Sequence, residues 1–248
     1  MDAEARAVIG YWASLAWRGV ALTWQNVTLF EPGKAPVSRS SLASASPPGA
    51  GGGAISWRAE ALGCGMDFEL RLPPIEERLL EKDAGIVEWR VEAPAAEVSV
   101  SLRGFAPLRG TGYAERILIT IPPWRLPIRE LRWGRWIDEA ASRSVVWIDW
   151  RGESPRTWVF VDGIAAGPSE VTDESVRGGA SQVVLGERRA LQARTLAEIA
   201  SSIPPLRAVV PRSFLGLRQS RWCSDGILRE GDAAPLAGRA IHEVVVLR

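Results

Sequence analysis

The feature that most restricts how this chain can fold is a period of two. Phe68, Leu70 and Leu72 alternate with Asp67, Glu69 and Arg71; Val98, Val100 and Leu102 alternate with Ser99, Ser101 and Arg103; Ile117, Ile119 and Ile121 alternate with Leu118 and Thr120. Successive side chains of a strand point to opposite faces, so each segment sets one face on a core and one toward water. Pro122-Pro123 ends the third, because Pro cannot donate to a ladder. Further strands are expected over Leu131–Asp138, Ser144–Arg151 and Thr157–Asp162, parted by turn residues at Asp138-Glu139, Gly152-Glu153-Ser154-Pro155 and Asp162-Gly163. That is meander spacing, with antiparallel neighbours. Only Leu191, Thr195, Leu196, Ile199 and Ile203 recur near the helical period, stopped by Pro204-Pro205. Strands and helices do not alternate. The expectation is an all-β antiparallel barrel, or a pair of barrels, with one late α-helix.

The remaining segments fit that frame. Residues 7–30, with Trp12, Trp17, Val20, Leu22, Trp24, Val27, Leu29 and Phe30, suggest one or two strands. Residues 31–54 are rich in Pro, Ser, Ala and Gly and read as a flexible loop. Ile75–Lys82 reads as a short helical turn or a charged loop, and Ile86–Val91 as a short strand bearing Trp89. Strands are also expected at Val183–Glu187, Phe214–Trp222 and Ala240–Leu247. The natural division is an N-terminal β unit over 1–115 and a C-terminal barrel over 116–248.

Composition narrows function. A formal net charge of +1 gives no global field for nucleic acid or an anionic membrane. No apolar run is long enough to span a bilayer. The start, Met1-Asp2-Ala3-Glu4-Ala5-Arg6, is acidic, and the apolar residues beyond it are interrupted by Tyr11, Trp12 and Arg18, so it is a poor secretory signal and a cytoplasmic location is expected. Cys64 and Cys223 make no disulfide framework. One histidine, His242, leaves no His/Cys zinc set, and no metal site is expected. Tryptophan is the outlier: 12 residues, against 2 Tyr and 5 Phe. So many indoles suit either a packed barrel core or the lining of a ligand cavity.

Two apparent motifs fail. Gly110-Thr111-Gly112 looks like the start of a dinucleotide loop, but Glu115 takes the third Gly position, a strand follows, and a carboxylate there repels phosphate. Gly63-Cys64-Gly65 could present a nucleophile, yet only His242 could be its base, and a small buried Cys in a turn is the plainer account.

The chemistry concentrates between Gly110 and Trp136. This stretch holds what reads as a tight Gly turn, the carboxylate of Glu115, several arginines, and Trp124, Trp133 and Trp136. Leu131, Trp133, Arg135 and Ile137 share one strand face; Arg132, Trp136 and Asp138 share the other. Val145, Trp147 and Asp149 oppose Val146, Ile148 and Trp150, and Trp158 and Phe160 oppose Val159 and Val161. One set should fill a barrel and the other pack on a second layer. Arg135 or Asp149 is then a polar group inside an aromatic cavity. A partly desolvated Glu115 gains a raised pKa and can give or take a proton. Glu115 with Arg116, and Asp149 with Arg151, could equally be solvated pairs of little energetic weight. His242 and Glu243 lie on opposite faces of the last strand, and one of them should point inward.

Gly112-Tyr113-Ala114-Glu115, then Leu131-Arg132-Trp133-Gly134-Arg135, then Gly238-Arg239-Ala240-Ile241-His242-Glu243-Val244-Val245 resemble the lipocalin-like superfamily of hydroxyneurosporene synthase (carotenoid 1,2-hydratase) and the AttH proteins. The resemblance covers about the last two thirds of the chain. It implies two consecutive lipocalin-like β-barrel units with a space for an apolar ligand, and activities such as hydration or cyclisation of isoprenoid or polyketide compounds. The hydratases carry a Gly-x-Gly-Tyr-x-Asp-His-Asn-Trp-Gly stretch whose acid protonates an alkene. Glu115 falls at that Asp position and Trp133-Gly134 at the later pair; Arg116 replaces the His, and a segment through Pro122-Pro123-Trp124 intervenes.

The function expected from these readings is a cofactor-independent isomerase, cyclase or hydratase for an apolar unsaturated small molecule. Glu115 is its acid or base. Arg135 and Asp149 polarise or orient, and Tyr113, Trp124, Trp133, Trp136, Trp147, Trp158 and His242 line the space. The rival is a non-catalytic carrier of a hydrophobic ligand.

Overall fold

A computed structural model describes residues 6–17, 19–201, 210–211 and 214–247. The chain is almost entirely antiparallel β-structure, arranged as two compact units. The first comprises residues up to Arg71 together with Ala96–Gly112, and the second comprises Leu72–Ala95 and Tyr113 onward.

In the first unit, β1 (Ala7–Trp17), β2 (Val20–Phe30) and β3 (Val37–Ser41) form one sheet. A second sheet is built from β4 (Gly49–Gly51), β5 (Ala54–Ala59) and β6 (Cys64–Leu70) with the later part of β8. Two short strands thus lie within 31–54, which composition alone suggested was loop. Val27, Leu29, Trp57, Leu62, Met66 and Val100 fill the core. Cys64 is buried there as a free thiol, and burial pushes its pKa up to about 11, so it is no thiolate nucleophile.

The second unit contains β7 (Ile75–Lys82) paired with the earlier part of β8 (Gly85–Leu102). The expected helical turn at Ile75–Lys82 is therefore a strand; a register shift between Arg78 and Leu80 blurs its alternation. The two short segments expected at Ile86–Val91 and Val98–Leu102 are one strand. Pro94 is tolerated within it because it falls between the ladder ending at Val91 and the ladder starting at Ala96. Likewise Gly110 and Gly112 belong to β9 (Leu108–Ile119) and make no turn. A Cβ on Gly112 would lie 2.1 Å from Val98 Cγ2, so glycine permits a close approach there.

A nine-stranded sheet completes the second unit, in the order β13-β12-β11-β10-β18-β17-β16-β15-β14. Its strands are β10 (Ile128–Asp138), β11 (Ser144–Gly152), β12 (Arg156–Val161), β13 (Ile164–Ala165), β14 (Ser169–Val171), β15 (Ser175–Gly178), β16 (Ser181–Thr195), β17 (Arg218–Glu230) and β18 (Leu236–Val246). The late helix is α1 (Leu196–Ser201); Leu191 and Thr195 belong to β16 instead. Ile203 and Pro204-Pro205 lie outside the described residues, as do Met1–Ala5 and Arg18 and the side chains of Trp17, Val20 and Ile199. The sheet curls until β15 returns to β12, where a Cβ on Gly178 would lie 2.7 Å from Val159 Cγ1. Inside the curl, Trp136, Val145, Trp147, Val159, Val176, Val183 and Leu228 pack together. The opposite face of the same strands carries Ile128, Val146, Ile148, Trp150, Trp158 and Phe160, packed on Ile75, Leu79, Val87, Trp89 and Val91 of β7 and β8. No helix among the described residues is long and apolar enough to cross a membrane.

Trp136 anchors the barrel. It is 0% exposed, and its indole N–H donates to the Gly226 carbonyl at 3.1 Å. Gly226 and Gly238 leave it room, since a Cβ on either would lie 2.6 Å from the indole. Trp136→Ala is expected to lower the free energy of unfolding by about 3–5 kcal/mol through cavity formation, read from urea denaturation.

Candidate active site

Alternation along β9 sets Tyr113, Glu115, Ile117 and Ile119 on one face. The same rule sets Trp133 and Arg135 together on β10, and Val87, Trp89 and Val91 together on β8. These three strands of the second unit meet at one atom. Oε2 of Glu115 accepts hydrogen bonds from Trp89 Nε1 at 2.6 Å, Tyr113 Oη at 2.8 Å and Trp133 Nε1 at 3.0 Å. Among the described residues, Oε1 has no hydrogen-bond partner. The rings are fixed in turn by contacts of their own. Tyr113 meets Trp133 edge to face at 6.2 Å, and Trp89 meets Phe160 in the same way at 5.9 Å. The Arg135 guanidinium lies over the Tyr113 ring, its Cζ 4.7 Å from the centroid.

Every hydrogen-bond partner of Glu115 is neutral. Burial among these rings raises its carboxyl pKa above the usual 4.5; the three donors and the charge of Arg135 oppose that rise without cancelling it. The residue nonetheless keeps substantial solvent access. Both facts describe a carboxyl walled in on its Oε2 side and reachable from another. Burial, then the Glu115 charge, lifts the Tyr113 phenol well above its ordinary pKa, so it stays a neutral donor. Burial lowers the Arg135 pKa, while Tyr113 and Glu115 raise it and Arg221 lowers it further. Among the described residues Arg135 makes no ion pair and no hydrogen bond.

The site therefore joins Glu115, Tyr113, Trp133 and Arg135 of the expected residues, and adds Trp89. Nothing near Glu115 in sequence points to Trp89, which arrives from a strand 26 residues earlier. Trp158 lies in the same apolar layer, but its N–H donates to Glu77 Oε1 at 3.0 Å. Trp124 packs on Phe214, with ring centres 6.3 Å apart. Trp136 and Trp147 point the other way, into the filled barrel. Asp149 shares their face and is buried, accepting from Arg151 Nε at 2.7 Å and Thr157 Oγ1 at 2.8 Å. His242 and Glu243 are both buried, on opposite faces. His242 Nε2 lies 3.0 Å from Ser224 Oγ, its ring stacks on Trp222, and burial lowers its pKa to about 4. It lines a separate small cleft with Arg132, Trp147, Asp173 and Arg188. Glu243 forms a buried ion pair with Arg221. Glu115 does not pair with Arg116, which reaches Glu92 at 3.6 Å.

No protein-family model and no curated protein matches the sequence. Solved structures do match the fold. A protein of Nitrosomonas europaea provisionally named AttH superposes with a TM-score of 0.56 at 12% identity, over 98% of this chain and 87% of that one. CghA solved with Sch210972 aligns with a TM-score of 0.49 at 12% identity, covering 98% of this chain and 88% of that one. CghA solved by itself gives the same TM-score of 0.49 at 11% identity, with the same coverage. The first of these, with the curled antiparallel sheet, gives the chain a lipocalin-like fold of the AttH type.

The raised pKa of Glu115 has a thermodynamic signature. Below the unfolded pKa the group is protonated in both states. As pH rises through the folded pKa, the native state loses stability relative to the unfolded chain. Glu115→Gln removes that loss. The stability of the Gln variant relative to wild type should grow from about pH 4.5 upward and level off above the folded pKa, as read from urea midpoints across pH.

Proposed function

We propose that the protein is an acid–base catalyst that isomerises, cyclises or hydrates an apolar unsaturated small molecule without a redox step. The observation that carries this reading is the occupancy of Glu115. Three donors compete for the lone pairs of Oε2. A proton on Oε2 would have to displace one of them, so the acid form holds its proton on Oε1. That proton faces away from the donor cluster and is free to be given.

Transfer from Oε1 to an electron-rich carbon or oxygen of the substrate leaves a carboxylate whose charge is already met by three N–H and O–H groups and by Arg135. The substrate gains the positive charge. The indole face of Trp133, which is only partly buried, stabilises cationic character through its quadrupole. The intermediate then returns a proton to the Glu115 carboxylate, directly from a neighbouring carbon, after closing a carbon–carbon bond, or after taking up water, which gives isomerisation, cyclisation or hydration respectively. Arg135 orients an oxygen of the substrate. Ile117 and Ile119, 49% and 37% exposed and in phase with Glu115 along β9, offer apolar surface for the rest of the molecule.

With unsaturated isoprenoid or polyketide candidates as substrates, recovered material examined by mass spectrometry and NMR should contain a product isomeric with the substrate, or heavier by one water. Glu115→Gln should lower kcat by about 10²–10⁴-fold. Tight binding of a candidate that is returned unchanged by wild type and variant alike would instead assign the protein as a carrier.

Activity should require the acid form, so kcat/KM should fall as pH rises through the folded pKa of Glu115. Tyr113→Phe removes a donor that stabilises the carboxylate. It should therefore move that fall to higher pH, a shift that simple loss of packing would not produce.

A further inference from the structure

The charge on Arg135 is the part of this site that the protein leaves unanswered. Charged side chains taken out of water normally meet a counter-charge. The neighbouring arginines do: Arg221 pairs with Glu243, Arg132 with Glu130 and Asp173, and Arg151 with Asp149 and Glu130. Arg135 has the Tyr113 ring and no ion pair among the described residues. The carboxylate that acts on it is Glu115, and that charge vanishes whenever the carboxyl is protonated. The other ionisable groups facing the site do not replace it. Tyr113 and Cys223 are held neutral by burial, and Glu243 is committed to Arg221. In the acid form the site thus carries an uncompensated guanidinium beside an apolar track.

We propose that the ligand of this site is an apolar unsaturated molecule with an anionic oxygen headgroup, a carboxylate or an enolate, which Arg135 binds while Glu115 is protonated. The inference rests on the acid role given to Glu115 above and adds the class of molecule that the acid meets. Ligand charge and the Glu115 proton are then coupled. An ionised Glu115 competes for Arg135 and repels the headgroup, so binding takes up a proton. The headgroup fixes one end of the molecule at Arg135, and the unsaturated portion lies over Trp133 and the exposed isoleucines of β9.

The test is a matched pair of fluorescent probes, neither of which can react. Anilinonaphthalene sulfonate is anionic throughout the accessible pH range, and N-phenyl-naphthylamine is its neutral counterpart without the sulfonate. Both are titrated into wild type, Glu115→Gln, Arg135→Gln and Arg135→Lys from about pH 5 to about pH 8, with near-UV circular dichroism to verify folding. Wild type should bind the sulfonate at least about tenfold more tightly than the neutral probe at the acid end, and the margin should shrink as pH rises. Glu115→Gln should keep the margin at every pH, Arg135→Lys should retain a preference, and Arg135→Gln should abolish it. Equal affinities in wild type at all pH values, or a preference that survives Arg135→Gln, would overturn the proposal. If Arg135→Gln does not fold, the wild-type margin and its pH dependence in Glu115→Gln still decide. Because the probes are inert, failure here is separate from failure of the catalytic role, which is read from turnover of Glu115→Gln.

Discussion

Strands β10 and β11 are buried on both faces, and the rest of the second unit follows from that constraint. A strand usually gives one face to water. Here Val145 and Trp147 fill the barrel while Val146 and Ile148 meet a second layer. The curl of the nine-stranded sheet accounts for the first face, and the β7–β8 hairpin covers the second. Gly134 makes the arrangement possible, because a Cβ there would sit 2.4 Å from the Trp147 ring and 2.7 Å from His242 Cβ. A wall packed from both sides has few alternative rotamers. Trp133 and Arg135 therefore present fixed groups without needing a loop to hold them.

Opposing effects act on Glu115. Three hydrogen bonds to Oε2 favour the carboxylate. Desolvation by the surrounding rings disfavours it. The pKa moves upward, so burial prevails. The donors still matter, because they choose the oxygen: they hold Oε2 as the permanent acceptor and leave Oε1 to carry the proton. A more open site would keep Glu115 ionised and a poor acid, while a site without the indole and phenol donors would hold the proton too firmly to release it.

Much of this was legible in the sequence. Period-two alternation gave the all-β character. Alternation puts Trp133 and Arg135 on one face, whereas the glycines before Tyr113 and Glu115 suggest a turn and hide the strand that sets those two on one face. What could not be read was contact between strands distant in sequence. Trp89 reaches Glu115 only because β8 and β9 come together, and nothing local encodes that. The direction of each face was also hidden. Trp133 and Trp136 look alike as letters, yet their separation by an odd number of residues sends one indole to Glu115 and the other into the barrel. Asp149 offered the same ambiguity; its neighbours Arg151 and Thr157 claim it as a buried structural carboxylate. The strand at β7 was obscured by its register shift and its many charges, and the unbroken β8 by Pro94.

The central claim is that the cluster of Trp89, Tyr113 and Trp133 holds a carboxyl group whose proton is retained above the ordinary range. The direct measurement is a carbon-13 NMR titration of the Glu115 carboxyl, assigned by its loss in Glu115→Gln. The account predicts a single midpoint above 4.5, displaced further upward in Trp89→Phe, where one donor to the carboxylate is gone. A midpoint at or below 4.5, or one that falls when that donor is removed, would contradict it.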